Sequence, residues 1–341
     1  MSPTHNLPLI ALAMGDPCGI SPELTACLVS DEEVANTARL VVIGDARVLA
    51  MGAKDAGISL SVPSLDDPLA DVPGHRLIDH GNCDPAAIVR GEVCLQGGQF
   101  SLQNFVQALE LGREGKVGAV TFTPFNKQAM RLARPGYEDE IAVITETLGA
   151  SRDGREFNIL EGLWNARVTS HIPLKDVSSY LTVDRIVDAA VLADQCLREA
   201  GFNPPRIAVA ALNPHAGDGG TFGREEIDVL EPAIAKMQAQ QLHVVGPVPA
   251  DTVFVRAQKG EFDAVLTMYH DQGQIAMKLL GFERGVTYLG GYAVPIVTPA
   301  HGTAYDIAGK GVADIKASRN AILLAAKMAN AAQTADTRAA A

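Results

Sequence analysis

Short apolar runs that stop at a polar turn and restart as amphipathic helices recur along this chain, and they leave few architectures open. Leu9 to Met14 is apolar throughout and breaks at Gly15-Asp16-Pro17-Cys18-Gly19-Ile20. Ser21-Pro22-Glu23 then supplies a helix N-cap, a proline at the first helical position and an acid in the first turn. Leu40 to Asp45 repeats the run, followed by a helix over Ala46 to Ala56. Apolar residues at helical spacing from Gln99 to Gly115 lead into the strand-like Ala119 to Thr123, which ends at Pro124-Phe125-Asn126-Lys127. This alternation predicts an α/β fold built on a parallel sheet.

The middle of the chain reads differently. Phe157 to Glu161 and Ala166 to Ser170 flank Gly162-Leu163-Trp164-Asn165 and predict a hairpin, hence a second domain of another style. Helices are expected over Asp176 to Ala200, over Gly223 to Gln240 and from Pro249-Ala250-Asp251-Thr252 onward, with strands at Arg206 to Leu212 and Asp263 to Thr267. A helix follows over Gln274 to Leu280, then strands near 285–291 and 293–298. The last helix covers about Asp314 to Ala329, with a frayed Ala-rich tail, and the Pro- and Asp-rich residues 63–73 read as a surface loop.

Composition bounds the function. A chain of 341 residues with 47% apolar and 20% charged residues is an ordinary globular protein of about two domains. Its net charge of −12 argues against nucleic acid or an anionic membrane as partner. The start lacks the basic and apolar pattern of a signal peptide, and no stretch has the apolar length of a membrane span, so a cytoplasmic location is expected. Five cysteines without Cys-x-x-Cys spacing read as reduced thiols, with Cys18 in the Gly-rich turn the least inert of them.

The chemistry collects where strands end. His270 and Asp271 follow the strand Asp263 to Thr267, His215 follows Ile207 to Leu212, and His171 follows Ala166 to Thr169. The carboxyl ends of parallel strands are where sheets of this class bind ligands. An isolated loop histidine needs no function, but three in one setting can converge on a metal ion, assembled by the fold because tens of residues separate them. Lys127 has the same setting, and the Gly-bounded loop from His301 to Gly311 carries hydroxyl, imidazole and carboxylate groups suited to a nucleotide. Tyr137-Glu138-Asp139-Glu140 opens a helix, where acids favour the dipole.

Six motifs in order, spanning nearly the whole chain, resemble the 4-hydroxythreonine-4-phosphate dehydrogenase family and its catabolic relatives. They are Gly15-Asp16-Pro17 with Gly19-Ile20, Ser170 to Leu174, Leu212 to Gly220, Pro249 to Thr252, Met268 to Gly273, and His301 to Ala304 with Ile307-Ala308-Gly309. The resemblance implies a two-lobed fold like that of isopropylmalate and isocitrate dehydrogenases, with an active-site cleft between lobes. The expected lobes are an NAD-side lobe, 1–128 plus 293–341, and a metal, substrate and dimerisation lobe, 129–292. It further implies a homodimer with a shared active site, and a divalent ion (Zn, Co, Mn or Mg) held by His171, His215 and His270. NAD is assigned to His301, Gly302, Thr303 and Asp306, with Asn213. Asp251, Asp271 and Lys127 become the candidates for proton transfer and orientation during hydroxyl oxidation and loss of carbon dioxide.

Departures from the family pattern bear on the substrate. Lys278 matches a phosphate-contacting lysine, but the family's asparagine is Thr287 here, its arginine falls at Ile296, and a His-Thr pair is replaced by Tyr137-Glu138-Asp139. Losing a charge-assisted clamp while gaining acids disfavours a phosphate dianion. The expected substrate is therefore an unphosphorylated hydroxy acid or dihydrodiol carboxylate. Second comes 4-hydroxythreonine 4-phosphate itself or a four-carbon sugar-acid phosphate. A non-redox acyltransferase or a ligand-binding module ranks last.

Overall fold

The computed structural model describes residues 7–63, 73–149 and 154–339; most of the expected 63–73 loop lies outside them. The strands are β1 (Leu9–Ala13), β2 (Arg39–Gly44), β3 (Arg76–Asp79), β4 (Ala119–Phe122), β5 (Arg155–Leu160), β6 (Leu163–Arg167), β7 (Ile207–Ala210), β8 (Val244–Val248), β9 (Ala264–Thr267), β10 (Val286–Gly290) and β11 (Ile296–Pro299). Helices alternate with most of them, so the α/β class holds. The chain divides into two compact units, 1–154 with 291–341, and 155–290.

In the first unit the strand order is β3-β2-β1-β4-β11, and every neighbouring pair is parallel. Buried Ile10 to Ala13, Leu40 to Ile43 and Ala119 to Phe122 explain why these runs carry no polar face. Residues 129–154, expected in the second lobe, belong to this unit. The helices Lys127–Ala133 and Glu140–Leu148 pack on the helix Leu95–Arg113, which itself covers β1, β2 and β4. The last helix runs Lys316–Ala339, ten residues past its expected end, because the Ala-rich tail is itself a strong helix former.

The second unit is mixed, in the order β10-β5-β6-β9-β7-β8, with antiparallel pairs at β10–β5 and β5–β6 and parallel pairs beyond. The hairpin exists, but its turn is Glu161-Gly162 rather than 162–165. Both turn residues have positive φ, which matches the twist of the flanking strands and favours glycine at the second position. Leu160 therefore faces Leu163, and Trp164 becomes a strand residue, 1% exposed, packed among Phe157, Phe202 and Tyr288. Among the described residues no helix is long and apolar enough to cross a membrane.

Candidate active site

Each expected metal ligand leaves a strand of the second unit, and backbone chemistry fixes where it points. β9 ends at Thr267, and the next helix begins at His270 itself (His270–Gly281), four residues before its expected start. His270 and Asp271 thus form a first helical turn, where an aspartate also complements the helix dipole. Gln272 fixes that turn: its side-chain oxygen accepts from Met268 N (2.7 Å) and its amide donates to Ala211 O (2.7 Å), just past β7. The Thr169 hydroxyl donates to Met268 O (2.7 Å), which ties the segment carrying His171 to the one carrying His270.

These ties bring two of the three imidazoles together. The rings of His171 and His270 lie 5.5 Å apart, centroid to centroid, and His270 Nδ1 is 2.7 Å from Asp271 Oδ1. Both rings border a cavity of about 250 Å³ with Tyr269, Asp271 and Thr169. Asp271 and Tyr269 also border a groove of about 510 Å³ that Asp251, in the first turn of helix Ala250–Gln258, enters from the other side. Imidazoles, two carboxylates and a phenol therefore lie around adjoining space.

The ring of His215 lies 6.2 Å from that of Phe222, centroid to centroid. Among the described residues no set of three or more metal-ligating side chains is gathered. The loop carrying His215 is unusual: His215, Ala216, Gly217, Asp218 and Gly219 all have positive φ, a left-handed turn that costs each non-glycine residue energy. Buried Glu226 holds it. Its carboxylate accepts from Leu212 N (2.9 Å), Asn213 N (2.7 Å) and Asn213 Nδ2 (2.9 Å). Asn213 Nδ2 also donates to Glu225 (2.7 Å), so the side chain assigned to the cofactor is committed to bracing its own loop.

The remaining expected residues divide between the units. Lys278 lies two turns along the helix from His270 and is exposed. Thr287 in β10 faces Asn158 in β5. Sequence reading passed over what surrounds Asn158: its side-chain oxygen accepts from Arg167 Nη1 (2.8 Å) and from Gln274 Nε2 (2.7 Å), while Arg167 Nη2 reaches Glu156 (2.8 Å). Burial lowers the Arg167 pKa, and Glu156 opposes that shift. The only signal was an arginine inside an apolar run.

In the first unit, Lys127 is the exposed first residue of a helix capped by Asn126, whose oxygen accepts from Gln128 N and Ala129 N. Asp139 likewise caps helix Glu140–Leu148 through Ala142 N (3.1 Å), and Tyr137 is 3% exposed. Of the three residues that replace the family's His-Thr pair and are expected with Lys278 and Thr287 to line the substrate site, Asp139 is thus engaged as a helix cap and Tyr137 is buried. Glu138 is exposed. The His301 loop is latched to the Gly15–Ile20 turn: Ile20 N donates to Thr303 O (3.0 Å), and the Tyr305 hydroxyl donates to Asp16 Oδ2 (2.5 Å). Burial raises the Asp16 carboxyl above its usual range, while Tyr305 and the Cys18 N–H oppose the shift. Gly302 and Asp306 are exposed, and His301 Nδ1 lies 3.1 Å from Gly302 O.

Side chains of this kind at the ends of parallel strands define an α/β enzyme. Comparison with known proteins gives the family. Residues 36–325 match the model of the pyridoxal phosphate biosynthetic protein PdxA. A Rhizobium meliloti protein named "Putative 4-hydroxythreonine-4-phosphate dehydrogenase 2" is 57% identical over 94% of this chain and 93% of its own. A Symbiobacterium thermophilum protein named "Putative D-threonate 4-phosphate dehydrogenase" is 38% identical, covering 95% and 97%. The crystal structure of 4-hydroxythreonine-4-phosphate dehydrogenase from Klebsiella pneumoniae matches with TM-score 0.85 at 35% identity, over 95% of this chain and 98% of that one. The chain belongs to the PdxA family and is an oxidoreductase acting on a small molecule.

Proposed function

We propose that this protein is an NAD-dependent, divalent-metal-dependent dehydrogenase that oxidises a secondary hydroxyl of a four-carbon hydroxy acid phosphate, with loss of carbon dioxide from the resulting 3-oxo acid. The observation that carries this reading is the His171–His270 pair, with Asp271 against His270, in a chain whose relatives are named as dehydrogenases of such phosphates. The residues suit an ion: Asp271 engages Nδ1 of His270 and leaves Nε2 to ligate, the arrangement in which a carboxylate fixes the tautomer of a ligand histidine. His171, His270 and His215 would hold it; imidazoles alone favour Zn or Co, and Mn or Mg would need carboxylate and water oxygens beside them.

Bound there, a divalent ion would supply Lewis-acid polarisation of the hydroxyl and its neighbouring carboxylate, and NAD, held by the His301–Asp306 loop, would accept the hydride. The chain's own groups do the rest. Asp251 borders the same groove as Asp271 and is suited to take the hydroxyl proton, since Asp271 is engaged with His270. Lys278 supplies positive charge to the substrate's anionic end, and Lys127 is the further candidate for orienting it. A homodimer completes the site in this reading.

The relatives' names favour a phosphorylated substrate over the unphosphorylated acid expected from the sequence. One observation keeps the latter as a second reading: Ile296, where the family pattern has arginine, is fully buried in β11 and offers an anion nothing. NADH absorbance with 4-phosphohydroxy-L-threonine, D-threonate 4-phosphate and a dihydrodiol carboxylate, at matched metal and NAD, decides between them. The highest kcat/KM should fall on a phosphorylated substrate. Preference for the dihydrodiol would establish the second reading, and no NADH from any of them would sink the dehydrogenase assignment.

A further inference from the structure

Two cysteines that the proposed chemistry does not use meet beneath the His301 loop. Cys18 Sγ and Cys94 Sγ are 3.5 Å apart, in contact but not bonded. Cys18 is fully buried in the Gly15–Ile20 turn, and Cys94 is partly exposed at the start of helix Leu95–Arg113, where its sulfur accepts from Gly97 N (3.3 Å). That is the arrangement of an oxidisable thiol with a resolving partner: one sulfur that an oxidant reaches, and a second, sheltered one in contact with it. We propose that Cys18 and Cys94 form a reversible disulfide on exposure to hydroperoxides, and that this bond loosens the His301–Gly309 loop.

The steps balance. The Cys94 sulfur attacks the terminal peroxide oxygen, the O–O bond breaks, Cys94 becomes a sulfenic acid, and water leaves from hydrogen peroxide or an alcohol from an organic hydroperoxide. The Cys18 sulfur then attacks the Cys94 sulfur, the S–S bond forms, the S–O bond breaks, and a departing water carries away the Cys18 proton. Each sulfur has lost one electron and the peroxide has gained two. Burial, with Asp16 adding to it, holds the Cys18 thiol far above its ordinary range, which leaves the first attack to Cys94. Cys18 rather than Cys83 resolves the sulfenic acid because its sulfur is the one held in contact with that of Cys94.

Closure that draws Cys18 towards Cys94 acts on the turn. A disulfide is about 2.05 Å long, so the sulfurs must approach by about 1.5 Å. The Cys18 backbone N–H donates to Asp16 Oδ1 (2.9 Å), the other Asp16 oxygen accepts from Tyr305, and Ile20 N donates to Thr303 O. There is no slack between turn and loop: a Cβ on Gly19 would stand 2.7 Å from Thr303 O. The helix side is equally tight, since a Cβ on Gly97 would stand 2.9 Å from Asp16 Oδ1. A shift of Cys18 therefore strains the Tyr305–Asp16 and Ile20–Thr303 bonds first.

The test is thiol chemistry on the purified protein, read without reference to turnover. After hydrogen peroxide the five free thiols should fall to three, the intact mass should lose two hydrogens, and peptide mapping should link Cys18 to Cys94; dithiothreitol should reverse all three. Cys94→Ser, which keeps a helix-capping hydroxyl, should retain all its thiols under the same treatment. Cys18→Ser should instead trap Cys94 as a dimedone-reactive sulfenic acid. Amide exchange across Gly302 to Ala308 should speed up in the oxidised protein and not in peroxide-treated Cys94→Ser. Five thiols surviving peroxide, or a different pairing, overturns the site. A Cys18–Cys94 bond with unchanged exchange overturns its effect on the loop.

Discussion

Glu226 acts on His215 without touching it, which makes it the residue whose loss should tell most about that loop. Three donors point at its buried carboxylate, and each left unpaired costs about 1–3 kcal/mol. Glu226→Ala should therefore lower stability in urea by about 2 kcal/mol or more and weaken zinc binding in calorimetry, because the left-handed turn loses its brace. Glu226→Gln, which can still accept from the two backbone N–H groups, should recover part of both. Unchanged zinc affinity in the alanine variant would remove Glu226 from the site's support. His75 gives a prediction of a different kind. Burial lowers its pKa from 6.5 to about 4, and its Nδ1 must stay unprotonated to accept from Leu40 N (3.0 Å). The unfolded chain binds the proton first, so the neutral ring's stabilisation is complete above pH 6.5 and is lost as pH falls from 6.5 towards 4. The loss should approach about 3 kcal/mol in wild type. His75→Asn, which keeps an acceptor near Nδ1 but does not titrate, should flatten that part of the stability profile; an identical slope in both proteins would refute it.

At the scale of elements, the helix that begins at His270 sits where it does because Gly273 lets it. A Cβ at Gly273 would stand 2.1 Å from Asn165 Oδ1, and that side chain cannot swing away: its amide donates to Val265 O, Thr267 Oγ1 and Ala166 O. Gly273→Ala should cost about 1–3 kcal/mol by overpacking. It should also displace His270 enough to lower turnover well beyond what the stability loss explains, measured as kcat at a temperature where the variant is fully folded. Sequence reading found β1, β2, β4 and β11 because they are buried and lie next to helices, a local signal, and passed over the short edge strand β3, whose Arg76 and Asp79 break the apolar run. The hairpin turn came out shifted because Trp164 beside Asn165 resembles a turn only when β5 and β6 are not yet paired. The strand-end histidines were legible for the same local reason. Glu226, Arg167 with Asn158, and the Tyr305–Asp16 latch were not, since each contact joins residues brought together only by the fold.

For the whole molecule, the proposed ion site requires His215 to reach the other two histidines. His171 and His270 face each other within one chain, while His215 is turned towards Phe222 on a separately braced loop. The helix carrying His270 also presents Ile275 and Leu279 to solvent, 60% and 84% exposed, and Val255 of the adjacent helix is 52% exposed. All three border the groove that Asp251 and Asp271 share. Large apolar side chains gathered beside a site suggest a surface that is covered in the working protein. A second copy that covers this groove and supplies its His215 would satisfy both observations. Subunit mixing separates this arrangement from its alternatives. If His171 and His270 act from one chain and His215 from the other, mixing inactive His215→Ala with inactive His270→Ala protein should restore turnover, since each hybrid dimer keeps one intact set. Mixing His171→Ala with His270→Ala should restore none, because no hybrid then holds both partners of the pair in one chain. Recovery in the second mixture instead would assign His171 and His270 to different subunits. Leu279→Arg should shift the protein towards monomer in sedimentation and remove activity with it; a fully active monomer would refute the shared site.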